Sequence, residues 1–344
     1  MTVATSGQKH WFDEDVLAVI VTYGDRFDLA AGSARSALLA GAKRVLIVNN
    51  GCVGLVTAEL QKFLDENDEG LIRMIKLPTN LGSAGGFAAG LEFAQNESNL
   101  KWVWLLDDDN WATPNCLREA FKTLRAWPRG DGAPAAVACF RPSDSAHARL
   151  KLGEAVGDVF PTPGSTLGFD FRRRFYRRLP SEMRRDFVVV PSAPYGGLLV
   201  TVSATLTVGP PRTDFILYQD DTEYTERLTN AGLTILLTFA GIVVDADGRQ
   251  LPNTAVRGLV RYLRTPELHQ NRLYYTIRNC LALDRIRAIR LVDRVSLLIN
   301  GMIVCSAFAF FSVLKRENRI SSGTVRSAVF DAARNKLGAM RALP

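Results

Sequence analysis

Histidine is the scarcest catalytic residue type in this chain, with His10, His147 and His269 alone in 344 residues. None lies near an acidic cluster in the sequence, which excludes a histidine-rich metal centre. The five cysteines, Cys52, Cys116, Cys139, Cys280 and Cys305, are odd in number, widely spaced and never in a CxxC pair. That pattern argues against a disulfide framework or a zinc site and points to a reducing, cytoplasmic setting. No GxGxxG follows the first apolar run, and no Gly-Lys-Ser/Thr follows any glycine cluster. Redox dinucleotide enzymes and P-loop nucleotidases therefore lack their phosphate loops here. The opening stretch, Met1 to Asp15, is polar and acid-bearing, and predicts no apolar signal region.

What is present is a chain able to bury a sizeable core, 47% hydrophobic, with a net charge of +7 that is unevenly spread. Residues 261–344 hold 15 Lys/Arg against 5 Asp/Glu, a net of +10, which leaves the first 260 residues at −3. A near-neutral body with a basic tail predicts a polyanion or an anionic membrane surface near the tail. Within that tail, Val295 to Leu314 is twenty residues without a charge, flanked by Arg294 and Lys315-Arg316. Twenty residues is the minimal length of a span. Ser296, Asn300, Gly301, Ser306 and Ser312 interrupt the run, which favours a helix that is buried or lies on an anionic surface over a membrane crossing.

Over the first 110 residues, strands alternate with helices. Val16–Tyr23, Arg44–Val48, Leu71–Leu77 and Trp102–Leu106 read as strands, and Asp28–Leu39, Thr57–Leu64 and Phe87–Gln95 as helices. This alternation predicts an α/β fold, a doubly wound, mostly parallel sheet flanked by helices. Each strand ends in polar or glycine-rich sequence: Thr22-Tyr23, Asn49-Asn50, Asn80 with Gly82, and Asp107-Asp108-Asp109. Four polar strand ends in a row predict one extended site along one sheet edge. Asp107 and Asp109, two apart, would face one side and share a hard cation through oxygen; the alternative is a solvated turn with Asn110 and Pro114. The glycines at 82, 85 and 86 would open the third helix, either to approach an anion or to let helix and strand pack closely.

Farther on, Phe169 to Asp186 carries seven arginines, Arg172, Arg173, Arg174, Arg177, Arg178, Arg184 and Arg185, which read as a solvated loop or a phosphate or lipid contact. Phe187–Val190 resumes as a strand, and the Gly196-Gly197 pair marks a close backbone approach. Asp220 and Glu223 have helix-capping spacing at the start of a helix running to Asn230. Two adjacent acids, Asp220-Asp221, exceed what a cap needs, so one is free to face a cleft. Leu233–Leu237 and Ile242–Val244 read as two further strands, the second ending in Asp245 and Asp247. Beyond Gly248 the pattern from Arg257 to Arg294 is helical and basic. The expected division is 1–248 as the catalytic body and 249–344 as a helical, membrane-associating or oligomerising region.

The order Val21-Thr-Tyr23 with Arg26, Val48-Asn-Asn-Gly-Cys52, Asn80-Leu-Gly-Ser-Ala-Gly-Gly86, Leu106-Asp-Asp-Asp109, Tyr195-Gly-Gly197, Asp220-Asp-Thr-Glu223 and Tyr274-Tyr-x-x-Arg-Asn279 resembles the family 2 glycosyltransferases of GT-A fold. The branch it is most similar to is the bacterial rhamnosyl- and galactofuranosyltransferase group. The resemblance covers residues 16 to 280. It implies that Thr22, Tyr23, Arg26 and Asn49 line the nucleotide pocket, with Asn49 standing where many members have Asp. Asn80 and Gly86 would border nucleotide and sugar. Asp107 and Asp109 would hold Mn²⁺ or Mg²⁺ on the diphosphate, and Asp108 would face the donor sugar. Asp221 matches the catalytic base, with Asp220 beside it. Where many members carry a metal-ligating His, this chain has Asp245, which leaves the third ligand between Asp245 and Asp247.

These expectations describe inverting, metal-dependent transfer from a UDP- or dTDP-sugar to a glycan or lipid-linked acceptor in bacterial surface glycan synthesis. They place the chain in the cytoplasm, peripheral to the inner membrane, with no nucleic-acid partner and with a homo-oligomer left open. Two rival readings are a metal-dependent phosphohydrolase and a non-catalytic nucleotide-binding module. The first would want DxDx[TV], but Trp111 stands at the Thr/Val position. The second has no use for the acids at Asp220-Asp221.

Overall fold

The computed structural model describes residues 14–52, 54–66, 70–128, 134–174, 186–247, 270–314 and 319–340. The four expected strands form as β1 (Val16–Thr22), β2 (Arg44–Asn50), β3 (Ile72–Leu77) and β4 (Trp102–Asp107). They pair in parallel in the order β3-β2-β1-β4. Their side chains alternate between two covered faces, as the near-continuous apolar runs require. Val16, Ala18, Ile20, Trp104 and Leu106 enter one core with α1 (Phe27–Leu39), α2 (Leu55–Glu66) and later α4 (Cys116–Ala126). Leu17, Val19, Val21, Val103 and Leu105 enter the other, against α3 (Gly82–Asn96).

The sheet continues past β4. β5 (Asn110–Ala112) leaves the acidic turn, and β6 (Ala136–Phe140) follows α4. Two short helices come next, α5 (Ser145–Lys151) and α6 (Val156–Val159), then β7 (Phe187–Val190), β8 (Leu198–Thr201), α7 (Val202–Val208), α8 (Asp220–Asn230) and β9 (Ile235–Asp245). The full order is β3-β2-β1-β4-β8-β6-β9-β5, with β7 on β9. β8 is antiparallel to both β4 and β6, whereas β6 and β9 are parallel to each other. β5 and β7 run antiparallel to β9. Six strands therefore share one direction, and the sheet is mostly parallel as expected.

Several boundaries differ from the sequence reading. The expected strands Leu233–Leu237 and Ile242–Val244 are one strand, β9, whose register against β6 shifts between Cys139 and Phe140. A bulge lets one strand serve both segments. The glycines at 82, 85 and 86 lie inside the first turns of α3 rather than in a loop before it. The expected helix from Arg257 to Arg294 is in part outside the described residues. The described portion is α9 (Gln270–Arg287), followed after a break by α10 (Leu291–Leu314) and α11 (Arg319–Ala333). In the arginine-rich stretch, Arg177, Arg178, Arg184 and Arg185 are outside the described residues. Arg172 pairs with Asp170 and Asp293, and Arg173 donates to the carbonyls of Asp158 and Phe160, so these two brace the fold. No helix among the described residues is long and apolar enough to cross a membrane.

The C-terminal helices have a small apolar cluster of their own, Leu273, Tyr274, Ile277, Val325 and Ala328. They dock on the body through polar contacts. Arg287 pairs with Glu226 on α8, and buried Asp284 accepts from the Leu167 amide at 2.8 Å. Burial pushes the Asp284 carboxyl up to about 6, against the pull of Arg287. The folded protein then binds this proton more tightly than the unfolded chain, so stability from this group falls as pH rises from about 4 to about 6 and is level above. The shift corresponds to roughly 3 kcal/mol. Asp284→Asn should remove that slope, so that the difference in melting temperature between variant and parent changes across this pH window; a constant difference would contradict the assignment.

Candidate active site

The carboxyl ends of β1, β2, β4 and β9 border one cavity of about 940 Å³. Its lining includes eight aspartates, Asp107, Asp108, Asp109, Asp144, Asp220, Asp221, Asp245 and Asp247, against three arginines, Arg26, Arg141 and Arg272. Parallel pairing sets this up. Val21 is in register with Asp107, and Thr22 with Asn49, so the polar residues that end each strand fall along one edge.

Arg26 organises the acidic turn after β4. It donates to both carboxylate oxygens of Asp108 at 2.8 Å, to Asp109 at 3.0 Å and to Asp247 at 2.9 Å. The Thr22 hydroxyl adds a bond to Asp108 at 2.9 Å. Thr22 and Asp108 are thus buried partners of one another beneath Arg26. Burial outweighs this pairing and still raises the Asp108 and Asp109 carboxyls. Tyr23 is 41% exposed and stands at the cavity rim under Arg26.

Asp107 differs from its neighbours. Among the described residues no hydrogen bond to its carboxylate is found, and burial with the repulsion of Asp109, Asp108 and Asp221 pushes it up to about 7, with Arg141 opposing. An under-compensated carboxylate beside Asp109 suits a hard divalent cation. Asp245 does not complete a third arm. It accepts from Arg141 at 2.7 Å, from Asn110 at 3.0 Å and from the Ser143 hydroxyl. The described residues hold no group of three or more His, Cys, Asp or Glu placed to grip an ion together. The expected set of Asp107, Asp109 and Asp245 is therefore not preassembled. Asp247 is paired with Arg26, as Asp109 also is. The donor set fits an ion bound by two carboxylates and completed by phosphate and water oxygens, a common arrangement for Mg²⁺.

Two expected pocket residues turn elsewhere. Asn49 is fully buried, accepts from the Cys52 amide at 2.7 Å and donates to Thr57, so it ties down the turn after β2. Its neighbour Asn50 lines the cavity instead, bonded to the Gly82 carbonyl, the Leu81 amide and Asn80. Gly86 is buried inside α3, where a Cβ would come within 2.5 Å of Val21, so it serves helix–strand packing. Asn80 does line the cavity. Trp111 points away, donating to the Leu29 carbonyl.

The second carboxylate pair arrives on a constrained loop. Ile216, Tyr218 and Gln219 all have positive φ, at 64°, 65° and 63°. Such conformations cost non-glycine residues on the order of 1–3 kcal/mol each. Asn279 on α9 holds them: its side-chain amide donates to the carbonyls of Phe215, Leu217 and Tyr218 at 2.8, 2.7 and 2.8 Å. Arg278 adds the carbonyls of Asp214 and Phe215. From the other side Gly82, with φ +75°, lies so close that a Cβ would stand 2.1 Å from the Ile216 carbonyl. The N-cap of α8 is Gln219, not Asp220, and Asp220 and Asp221 both sit in the first turn. Asp220 is 2% exposed, and its Oδ2 has no hydrogen-bond partner among the described residues. Burial and then Asp221 raise it well above the carboxylate range. Asp221 is raised too, by burial, while its Oδ1 accepts from the Thr222 amide. The more open of the two to the cavity is Asp221.

Arg141, Ser143 and Asp144 escaped the sequence reading. They follow β6, a strand whose apolar run Ala136–Phe140 ends, like the others, in polar sequence. The close approach at Gly196 is to Asn110 and Arg141, which a Cβ there would meet at 2.0 and 2.7 Å.

Residues 18–179 match the family model described as glycosyl transferase family 2. No curated protein matches. Among solved structures, the chain is similar to the mannosyltransferase PcManGT from Pyrobaculum calidifontis in complex with GDP-Man and Mn²⁺, at 13% identity over 94% of this chain and 87% of that one, TM-score 0.51. It is similar to S. aureus TarS 1-349 at 9% identity over 93% and 80%, TM-score 0.50. A structure of GalNAc-T7 with UDP, GalNAc and Mn²⁺ matches at 11% identity and TM-score 0.47, and the chain spans 44% of its length. At these identities the likeness is one of fold, a GT-A-like α/β sheet.

If Asn279 is what holds the loop before Asp220, Asn279→Ala removes the side-chain donor to the Leu217 and Tyr218 carbonyls, while Phe215 keeps Arg278, and should cost about 2–3 kcal/mol in urea unfolding. Asn279→Asp keeps the shape but offers no donor when ionised, and should rescue nothing.

Proposed function

We propose that this protein is an inverting, metal-dependent glycosyltransferase, a reading supported by the match of residues 18–179 to the glycosyl transferase family 2 model. The observation that carries the reading is the pairing of two carboxylate sets across one cavity: Asp107 and Asp109 at the end of β4, and Asp221 on the constrained first turn of α8. The first set is short of positive charge; the second offers a base. A hydroxyl acceptor needs such a base, because it is a poor nucleophile until a carboxylate takes its proton.

Asp107 and Asp109 would hold Mn²⁺ or Mg²⁺, which when bound neutralises the charge gathering on a departing nucleoside diphosphate. The mannosyltransferase of like fold carries GDP-Man and Mn²⁺ together, which is in keeping with this. Tyr23, Asn50 and Asn80 line the side of the cavity where the nucleotide would lie. Thr22 and Arg26 act there through Asp108, whose buried carboxylate they fix. Asp221 removes the acceptor proton as the new bond to the anomeric carbon forms and the bond to the diphosphate oxygen breaks on the opposite face. One base with no separate nucleophile gives inversion. The favoured donors are UDP- or dTDP-sugars, with rhamnose or galactofuranose as the sugar. The favoured acceptor is a lipid-linked or polysaccharide hydroxyl in bacterial surface glycan synthesis.

Ligand that binds only the native state raises its melting temperature. UDP or dTDP at about a hundred times its dissociation constant should add about 2.7 kcal/mol, a shift of several degrees, and chelating Mn²⁺ should remove most of it. No shift with any nucleotide in the presence of metal would overturn the donor site. Asp221→Asn should lower transfer by about 10³-fold or more while donor affinity stays within about threefold. Weakened donor binding with transfer intact would contradict the role of Asp221.

A further inference from the structure

The first part of α10 is amphipathic in the inverted sense. Its inward face is polar: Asp293 pairs with Arg172, Ser296 is buried, and Asn300 donates to the Gly164 carbonyl and accepts from the Phe171 amide. Its outward face is apolar. Leu291, Val295, Leu298 and Met302 are 78%, 46%, 68% and 63% exposed, and their spacing of four, three and four residues makes a single stripe. Val292 and Ile303 widen it, and Ile286 and Ile289, before the helix, are exposed as well. The polar anchors on the inner face fix the rotation of the helix, so the apolar stripe cannot turn inward without breaking an ion pair and two hydrogen bonds of Asn300.

Charge decides what this face meets. Between Gln270 and Ser306 the exposed charged side chains include Arg285, Arg290 and Arg294, whereas the acids of this stretch, Asp284 and Asp293, face inward. A two-fold contact with a second copy would bring this basic patch against itself. An anionic bilayer surface offers acyl chains to the stripe and headgroup phosphates to the arginines.

We infer that the Leu291–Met302 face of α10, rimmed by Arg285, Arg290 and Arg294, docks this protein on anionic lipid headgroups with the apolar stripe at the headgroup–acyl boundary. This stands apart from the donor site. It bears on the proposed transferase only through the acceptor: Asn279, which holds the loop before Asp220, and Ile286 are about 10 Å apart along α9.

The test is flotation of the full chain, without nucleotide, on vesicles of phosphatidylcholine alone and of phosphatidylcholine with about one-third phosphatidylglycerol. Binding is expected on the second and at least tenfold less on the first. Leu298→Glu with Met302→Glu should reduce binding by at least tenfold, and Arg290→Gln with Arg294→Gln should reduce it severalfold and weaken its dependence on salt. All four sites are exposed, so unchanged melting temperatures are expected. Absence of flotation, equal binding to both vesicles, or no effect of the double glutamate variant would overturn the inference. So would a dimer seen by light scattering that the glutamate variant dissolves, because a second copy would then occupy the face. Because the assay needs no nucleotide, failure of the donor reading leaves its outcome unchanged.

Discussion

Eight aspartates around one cavity, with Arg26, Arg141 and Arg272 as the cations that line it, set the terms for the rest of the molecule. Like charges this close cannot all ionise without compensation. The protein meets the demand unevenly. Arg26 takes three carboxylates, Arg141 takes Asp245, and Asp107 is left to the cavity. The imbalance is therefore local, next to Asp109, at the end of the central strand. A site short of positive charge suits a divalent cation, the ion proposed for it above.

That arrangement depends on elements far apart in the chain. Arg26 follows β1, the acidic turn follows β4, and Asp245 and Asp247 come at the end of β9, where Asn110 is in register with Asp245. The pairing of β5 with β9 folds the end of the last strand back over the acidic turn. Asn110 is the joint: its amide bonds both Asp109 and Asp245, and its oxygen accepts from the Asp107 amide.

The opposite wall is held from the C-terminal helices. Three positive-φ residues in the four positions before Asp220, Ile216, Tyr218 and Gln219, persist because Asn279 and Arg278 donate to the carbonyls of this stretch. The tail joins in, as the Gly338 amide donates to the Asp214 carbonyl and Arg278 reaches the Gly338 carbonyl. The helical region is thus a support for the loop that leads to Asp220 and Asp221. The same helix, α9, leads to the exposed apolar and basic surface at its far end, so one element joins the loop before Asp220 to that surface.

The sequence by itself determined the parallel half of the sheet. Runs such as Val16–Val21 and Trp102–Leu106 are apolar at successive positions, and only strands covered on both faces use them so. It also located the acids at strand ends, because strand direction places every carboxyl end on one edge. Tertiary structure decided what the side chains do there. Whether Asn49 or Asn50 faces the cavity turns on a single residue of strand alternation at the end of β2, and adjacent asparagines give no clue to it. Arg141 and Asp245 are 104 residues apart, so their pairing, and with it the loss of Asp245 as a free ligand, arises only when β6 and β9 meet. The outward stripe of α10 was equally hidden, since an uncharged run with scattered serines and Asn300 reads alike for a buried helix and an exposed one. The partners of Asp293 and Asn300, Arg172 and the backbone near Gly164, set the rotation of that helix, and they lie more than a hundred residues away in the chain.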